Sequence, residues 1–231
     1  MLKNTIINLG VIRKIAAALN ELNDRVVYVG GAVVSLYVND PAAEDVRPTK
    51  DIDISLEIAS VAELEEIRES LNKKGFKQAP ENDVICRFRY EDVKVDVMST
   101  KEVGWAPANP WFGPGFKYVE KINIKDKTIN ILPLSYFLAT KFTAFHDRGK
   151  KDARTSHDFE DITYILDNRT DLVEVILKSP DDVQKYLKKE FAILLKDDNM
   201  KEAIIGNLYY ETQQERFEMI TDKLKKIIDR L

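Results

Sequence analysis

The string Thr49-Lys50-Asp51-Ile52-Asp53-Ile54 alternates acids with β-branched apolar residues. On a strand, residues two apart project from one face, so the Asp51 and Asp53 carboxylates would stand side by side. Two like charges that close raise the pKa of one of them unless a cation neutralises the pair. A divalent ion that prefers hard oxygen ligands is the natural partner. Val95-Asp96-Val97 repeats the pattern with a single acid. If the two strands are neighbours, three carboxylates converge. Such a set can hold two Mg²⁺ ions about 3.5–4 Å apart, the arrangement that activates an attacking oxygen and stabilises a leaving one in phosphoryl or nucleotidyl transfer.

Upstream, Val26-Val27-Tyr28-Val29 is short, β-branched and aromatic, and is stopped by Gly30-Gly31. This reads as a buried strand turning into a helix over Ala32 to Val38. A glycine pair at that junction leaves bare backbone N–H groups facing outward, a place where phosphate oxygens are received. An Asp-x-Asp pair alone is commonplace on exposed strand faces; the conjunction with the glycine turn gives it weight.

The elements that must position these residues follow from periodicity. Apolar residues from Asn4 to Leu22 recur at helical spacing, and so do those from Val61 to Lys74, with Gly75 as the stop. Val84 to Tyr90 and Val93 to Met98 read as strands parted by Glu91-Asp92, and Tyr118 to Ile124 with Thr128 to Leu132 as a hairpin. Thr100 to Phe116, rich in Pro and Gly and holding Trp105 and Trp111, reads as a loop that the tryptophans anchor, the alternative being that they stack on a base or sugar. Beyond Pro133 the spacing predicts helices over Pro133 to His146, Ala153 to Leu166, Thr170 to Leu177, Asp181 to Leu195, Met200 to Leu208 and Gln213 to Leu231. The fold class expected is therefore α/β (α+β), a mixed-sheet domain over residues 1–132 followed by a helical domain over residues 133–231.

Composition narrows the chemistry. The 231 residues contain one cysteine, Cys86, and two histidines, His146 and His157, so a zinc cluster lacks ligands and any metal must be held by oxygen. A formal net charge of −4 argues against nucleic-acid binding by bulk electrostatics, while leaving room for a local basic patch. No apolar run approaches the roughly 18 residues of a membrane span, and no secretory leader is visible, so a cytoplasmic protein is expected. Arg148, Lys150, Lys151 and Arg154 form a basic run interrupted by Asp147 and Asp152. Such runs are usually solvated surface, the alternative being a guide for RNA or NTP beside an active cleft.

Taken together, these residues resemble the DNA polymerase β-like nucleotidyltransferase superfamily, and within it the abortive-infection AbiE-type toxin branch. The resemblance spans most of Val26 to Leu166. The Gly30-Gly31 turn, the string Arg47-x-Thr49-x-Asp51-Ile52-Asp53 and the lone strand acid Asp96 look like the family's first two motifs. Leu134-Ser135 leading to Lys141 and Ala144 looks like its third, and Asp158-x-x-Asp161 like its fourth. Two departures stand out. About nineteen residues separate the glycine pair from Asp51, and Gly31 occupies the position where a serine is usual.

The resemblance implies that Gly30, Gly31, Arg47 and Thr49 contact an NTP, and that Asp51 and Asp53 ligate Mg²⁺, two ions in all. Asp96 would be the third ligand or the catalytic base, Lys141 would reach the triphosphate, and Asp158 and Asp161 would add to the site from the helical segment. Against this, Lys141 shares a helix with core-facing Phe137, Leu138, Phe142 and Phe145 and would otherwise be a snorkelling lysine. Asp158 and Asp161, on one helical face, would otherwise pair with Arg148 or Arg154. The activity implied is transfer of NMP from an NTP to an acceptor, RNA such as a tRNA end, by the toxin of a pair that includes an antitoxin protein. The alternatives are modification of a small, antibiotic-type molecule, or nucleotide binding without catalysis.

Overall fold

The computed structural model describes residues 2–49, 51–78, 86–149 and 152–231. These form two compact units, one of Met1–Ser35 with Asp45–Pro133, the other of Leu36–Glu44 with Leu134–Leu231.

The first unit carries a seven-stranded mixed sheet. Its strands are β1 (Val26–Val29), β2 (Asp51–Leu56), β3 (Lys77–Gln78), β4 (Arg87–Tyr90), β5 (Val93–Ser99), β6 (Glu120–Ile124) and β7 (Lys127–Ile131), ordered β3-β4-β5-β2-β1-β7-β6. β2 lies parallel to β5 and β1 parallel to β7, while the remaining pairs are antiparallel. β1 is buried along its whole length, as a central strand with both faces covered should be. In β2, β4 and β5 the apolar members Ile52, Ile54, Phe88, Val95 and Val97 are fully buried, and the charged residues between them take the other face.

Helices α1 (Lys3–Leu19) and α2 (Val61–Lys73) belong to this unit. α2 starts where the Ser60 hydroxyl accepts the Glu63 N–H, and it stops before Gly75, whose φ of +89° suits a residue without Cβ. Where an α-helix was expected after the glycine turn, the chain makes a 3₁₀ segment, Gly31–Tyr37. Three β-branched or bulky residues in that segment, Val33, Val34 and Tyr37, are buried at once. The tighter turn, with three residues per turn, places Val34 and Tyr37 on one edge. The first helix likewise ends earlier than Leu22 and continues as 3₁₀ over Asn20–Arg25.

The expected loop from Thr100 contains one turn of helix, α3 (Phe112–Phe116). It is anchored as anticipated by Trp105, whose indole N–H donates to Glu65 at 3.0 Å and whose ring packs on Phe88. Of the strand expected from Val84, residues 84 and 85 lie outside the described residues, and β4 begins at Arg87.

The second unit is helical. It contains α4 (Leu134–Ala144), which runs on into a π-helical turn over Phe145–Gly149, then α5 (His157–Asn168), α6 (Leu172–Leu177), α7 (Asp181–Lys196), α8 (Asp198–Gly206) and α9 (Gln213–Arg230). Side-chain caps fix two starts, Ser156 for α5 and Asp197 for α8. Every residue of α4 from Leu134 to Phe142 is buried, so this helix is the axis of the unit rather than a surface helix with one apolar stripe. Phe142 meets Phe191 edge-on, and Phe145 packs on Phe159. The segment Leu36–Glu44 is fastened here by backbone: the N–H groups of Asn39 and Asp40 both donate to the Asn168 carbonyl, and the Tyr164 hydroxyl donates to the Glu44 carbonyl.

Candidate active site

The acids found by alternation share one sheet face. Asp53 is the register partner of Val29 on β1 and of Asp96 on β5, and Asp51 is the partner of Lys94. Directly paired residues of neighbouring strands project to the same side. Asp51, Asp53 and Asp96 therefore line that face together, although 43 residues separate Asp53 from its partner.

Gly30 stands at the end of β1 with φ +73°, and a Cβ there would fall well under 3.0 Å from the Asp53 carboxylate. A side chain at position 30 is thus excluded twice, by backbone strain and by the carboxylate itself. At Gly31 an added Cβ would collide with the Arg47 guanidinium. Glycine turn, Arg47 and Asp53 are consequently in van der Waals proximity, and the 3₁₀ segment that follows offers backbone N–H groups but no long helix dipole.

Residues unmarked in the sequence reading position this face. Asn8, fully buried on α1, donates to the Arg47 carbonyl at 3.3 Å and accepts the Thr49 N–H at 3.2 Å. Asp45 receives the N–H groups of Asn4 and Thr5 at 2.6 and 3.0 Å, capping α1 and tying the loop to it. Its burial works against ionisation, but these backbone donors hold its carboxyl below the ordinary range. The Thr49 hydroxyl turns inward to the Asp51 backbone, 3.3 Å from the carbonyl, and starts the strand.

Arg87 is another. Its Nε and an Nη grip Asp96 Oδ1 and Oδ2 at 2.7 and 2.6 Å, with both side chains largely covered (19% and 14% exposed). The bidentate bond to Asp96 raises the already high guanidinium pKa. The signal in the sequence was slight: an arginine at the strand position that pairs across a hairpin with Asp96. Neighbouring Cys86 is buried, and burial together with the Asp96 and Asp53 charges pushes its thiol up to about 11, so it is no nucleophile. The Asp51 side chain is more open than that of Asp96, 41% exposed, with the Lys94 ammonium 4.0 Å away.

As a donor set, Asp51 and Asp53 fit a hard divalent cation: carboxylate oxygens only, adjacent on a strand face, with Gly30 admitting the Asp53 carboxylate into the place a Cβ would take. Among the described residues no group of three or more His, Cys, Asp or Glu is arranged to hold a metal ion. The Asp96 carboxylate is held instead by the bidentate Arg87 guanidinium.

The residues singled out in the helical unit form a second charged cluster. Lys141 Nζ lies 2.6 Å from Asp161 and 3.2 Å from Asp158, and all three residues are about 95% or more buried. Arg148 adds a bond to Asp158 at 2.9 Å. Burial opposes ionisation of Asp158, but Lys141 and Arg148 outweigh it and hold the carboxyl below its ordinary range. Of the basic run, Arg154 pairs with Asp152, and Lys150 and Lys151 lie outside the described residues. His146 bonds Glu190 at 2.7 Å and His157 bonds Glu160 at 3.1 Å.

A glycine turn beside a strand-borne acidic pair, in register with a third acid, is suited to an enzyme that handles phosphates. The chain belongs to the AbiEii family of nucleotidyltransferase toxins: the family model described as "Nucleotidyl transferase AbiEii toxin, Type IV TA system" matches residues 14–230. Two similar solved structures are a nucleotidyltransferase-like antigenic protein from Paracoccidioides brasiliensis and the antibiotic-resistance factor ANT(2'')-Ia. The first is 15% identical, covering 85% of this chain and 91% of that one at a TM-score of 0.47. The second is 18% identical, covering 83% and 96% at 0.48. No curated protein matches the sequence. No helix among the described residues is long and apolar enough to cross a membrane.

Proposed function

We propose that this chain transfers a nucleoside monophosphate from an NTP to the hydroxyl of an RNA acceptor such as a tRNA end, using the sheet face of Asp51, Asp53 and Asp96. One observation carries the reading: the register that sets Asp96 beside Asp53, at the turn where Gly30 leaves the space a side chain would fill. Family membership supports the reaction class.

In this account the backbone N–H groups of the glycine turn receive phosphate oxygens, with the Arg47 guanidinium beside Gly31 as a neighbouring cation. Asp51 and Asp53 would hold Mg²⁺, which when bound would supply Lewis-acid activation of the acceptor oxygen and charge stabilisation for departing pyrophosphate. Asp96 takes the acceptor's proton, and Arg87 fixes the direction in which that carboxylate points. The acceptor oxygen bonds to the α-phosphorus as the bond to the bridging oxygen breaks, releasing pyrophosphate. As the toxin of a two-component system, the chain has an antitoxin protein as its counterpart.

The test is incubation with each radiolabelled NTP, Mg²⁺ and total RNA, alongside Asp51→Ala/Asp53→Ala. Label should pass to RNA with the parent protein and fall by about a thousandfold or more in the variant, the loss of several kcal/mol of transition-state stabilisation. Equal labelling by both proteins would refute the assignment.

A further inference from the structure

The register of the sheet aligns more than the acids. Lys77 on β3 pairs with Arg89 on β4, Arg89 pairs with Lys94 on β5, and Lys94 pairs with Asp51 on β2. Directly paired residues share a face, so Lys77, Arg89 and Lys94 form one row of cations that ends at the carboxylate pair. At about 4.8 Å per strand the row reaches roughly 14 Å across the sheet from Asp51. Lys77 is exposed, Arg89 and Lys94 are half-buried, and among the described residues neither Lys77 nor Arg89 makes an ion pair. The nearest acids along the hairpin, Glu91 and Asp92, are occupied by Lys14 at 2.6 and 2.7 Å. In a chain whose net charge is −4, this is a local concentration of positive charge.

We infer that the row Lys77–Arg89–Lys94 is the track for the phosphates of a single-stranded RNA acceptor, leading its terminal hydroxyl to Asp51 and Asp53. A single file of cations matches one backbone rather than the two of a duplex, and the file runs into the carboxylates instead of past them. The track is separate from the glycine turn, so acceptor and NTP approach the acids from different sides. Strand-borne cations are also held at fixed spacing, unlike those of a mobile tail. The inference rests on the nucleotidyl-transfer reading for its direction, but binding to the track does not require turnover.

The experiment measures fluorescence anisotropy of a labelled single-stranded RNA oligonucleotide without NTP, across a salt series. The full chain is compared with Lys77→Gln/Arg89→Gln/Lys94→Gln and with a control of equal charge change, Lys117→Gln/Lys121→Gln/Lys125→Gln, whose lysines are exposed elsewhere in the same unit. NTP binding and the thermal midpoint are recorded for all three. The row variant should bind RNA at least about tenfold more weakly at 0.1 M salt. Its slope of log K against log salt should be shallower by about 0.7 per cation removed, roughly 2 in all. NTP binding should be unchanged and the control within about twofold of the parent.

Unchanged RNA affinity and slope in the row variant, or an equal loss in the control, would overturn the track. Loss of NTP binding with RNA binding intact would also overturn it, by giving the row to the nucleotide. If RNA binding depends on the row while no label is transferred in the NTP assay, the track stands and the catalytic reading fails. Label passing to a small molecule, with RNA unbound, would leave the chemistry standing and remove the track.

Discussion

Two clusters of charge were candidates for the same site, and the structure gives them opposite characters. On the sheet, Asp51 and Asp53 stand together half-exposed, on the face that Asp96 also lines. In the helical unit, Lys141 and Arg148 meet Asp158 and Asp161, two cations for two acids, with Lys141 and both aspartates buried. The sheet acids are half-exposed, so a cation from solution can reach Asp51 and Asp53 even with the Lys94 ammonium 4.0 Å from Asp51. A buried and balanced set has already found its partners, and removing one member leaves a charge with neither water nor a mate.

The largest effect that separates the two is on stability. Lys141→Met should cost about 3–5 kcal/mol, because Asp158 and Asp161 are left buried against a thioether. Urea unfolding followed by far-UV circular dichroism would read this as a lowered midpoint. A loss under 1 kcal/mol would mean that the network is loosely held and that Lys141 can be spared for a ligand.

Gly30→Ala brings the next effect, and it belongs to the other cluster. The new methyl must displace the Asp53 carboxylate and adopt a positive φ, a strain of about 1–3 kcal/mol. Transfer activity should fall much further than the thermal midpoint does. Activity preserved in a well-folded Gly30→Ala protein would separate the glycine turn from the chemistry.

A smaller effect appears in acid. Asp158 has its folded pKa below the unfolded value, so its contribution is present in full above about pH 4 and is lost as pH falls through the lower folded value. Removing one of the cations that hold it down, by Arg148→Met, should move the acid-unfolding midpoint of the helical unit upward by a few tenths of a pH unit. An unmoved midpoint would assign the low pKa to Lys141 alone.

The same comparison shows what the sequence could disclose. Asp51, Asp53 and Asp96 were legible because a strand has period two, so acids alternating with isoleucine or valine set a charged face against an apolar one. Their meeting was not, since the parallel pairing of β2 with β5 is a long-range register that no local pattern encodes. Arg87 and Asn8 were missed for that reason: each acts across a pairing, one with Asp96 on the next strand and one with the Arg47–Thr49 segment about 40 residues on.

The burial of Lys141 could have been read from the composition of its helix, where the sequence reading offered a snorkelling lysine as the alternative to a phosphate contact. The segment Leu134-Ser135-Tyr136-Phe137-Leu138-Ala139-Thr140-Lys141-Phe142 is apolar or small nearly all round, which is the mark of a buried axis. The 3₁₀ form of Gly31–Tyr37 was hidden because short apolar runs carry too few turns to tell 3.0 from 3.6 residues per turn.

The central claim is that the sheet face is the ligand-taking cluster and the helical one is not. The most direct measurement is the urea midpoint of the parent protein, Asp51→Asn/Asp53→Asn and Lys141→Met, each with and without millimolar Mg²⁺. Relief of like-charge repulsion should leave the Asp51→Asn/Asp53→Asn protein at least as stable as the parent without Mg²⁺. Added Mg²⁺ should raise the midpoint of the parent and of Lys141→Met, and should leave the double variant where it was. A parent protein indifferent to Mg²⁺, or a double variant destabilised as far as Lys141→Met, would contradict the account.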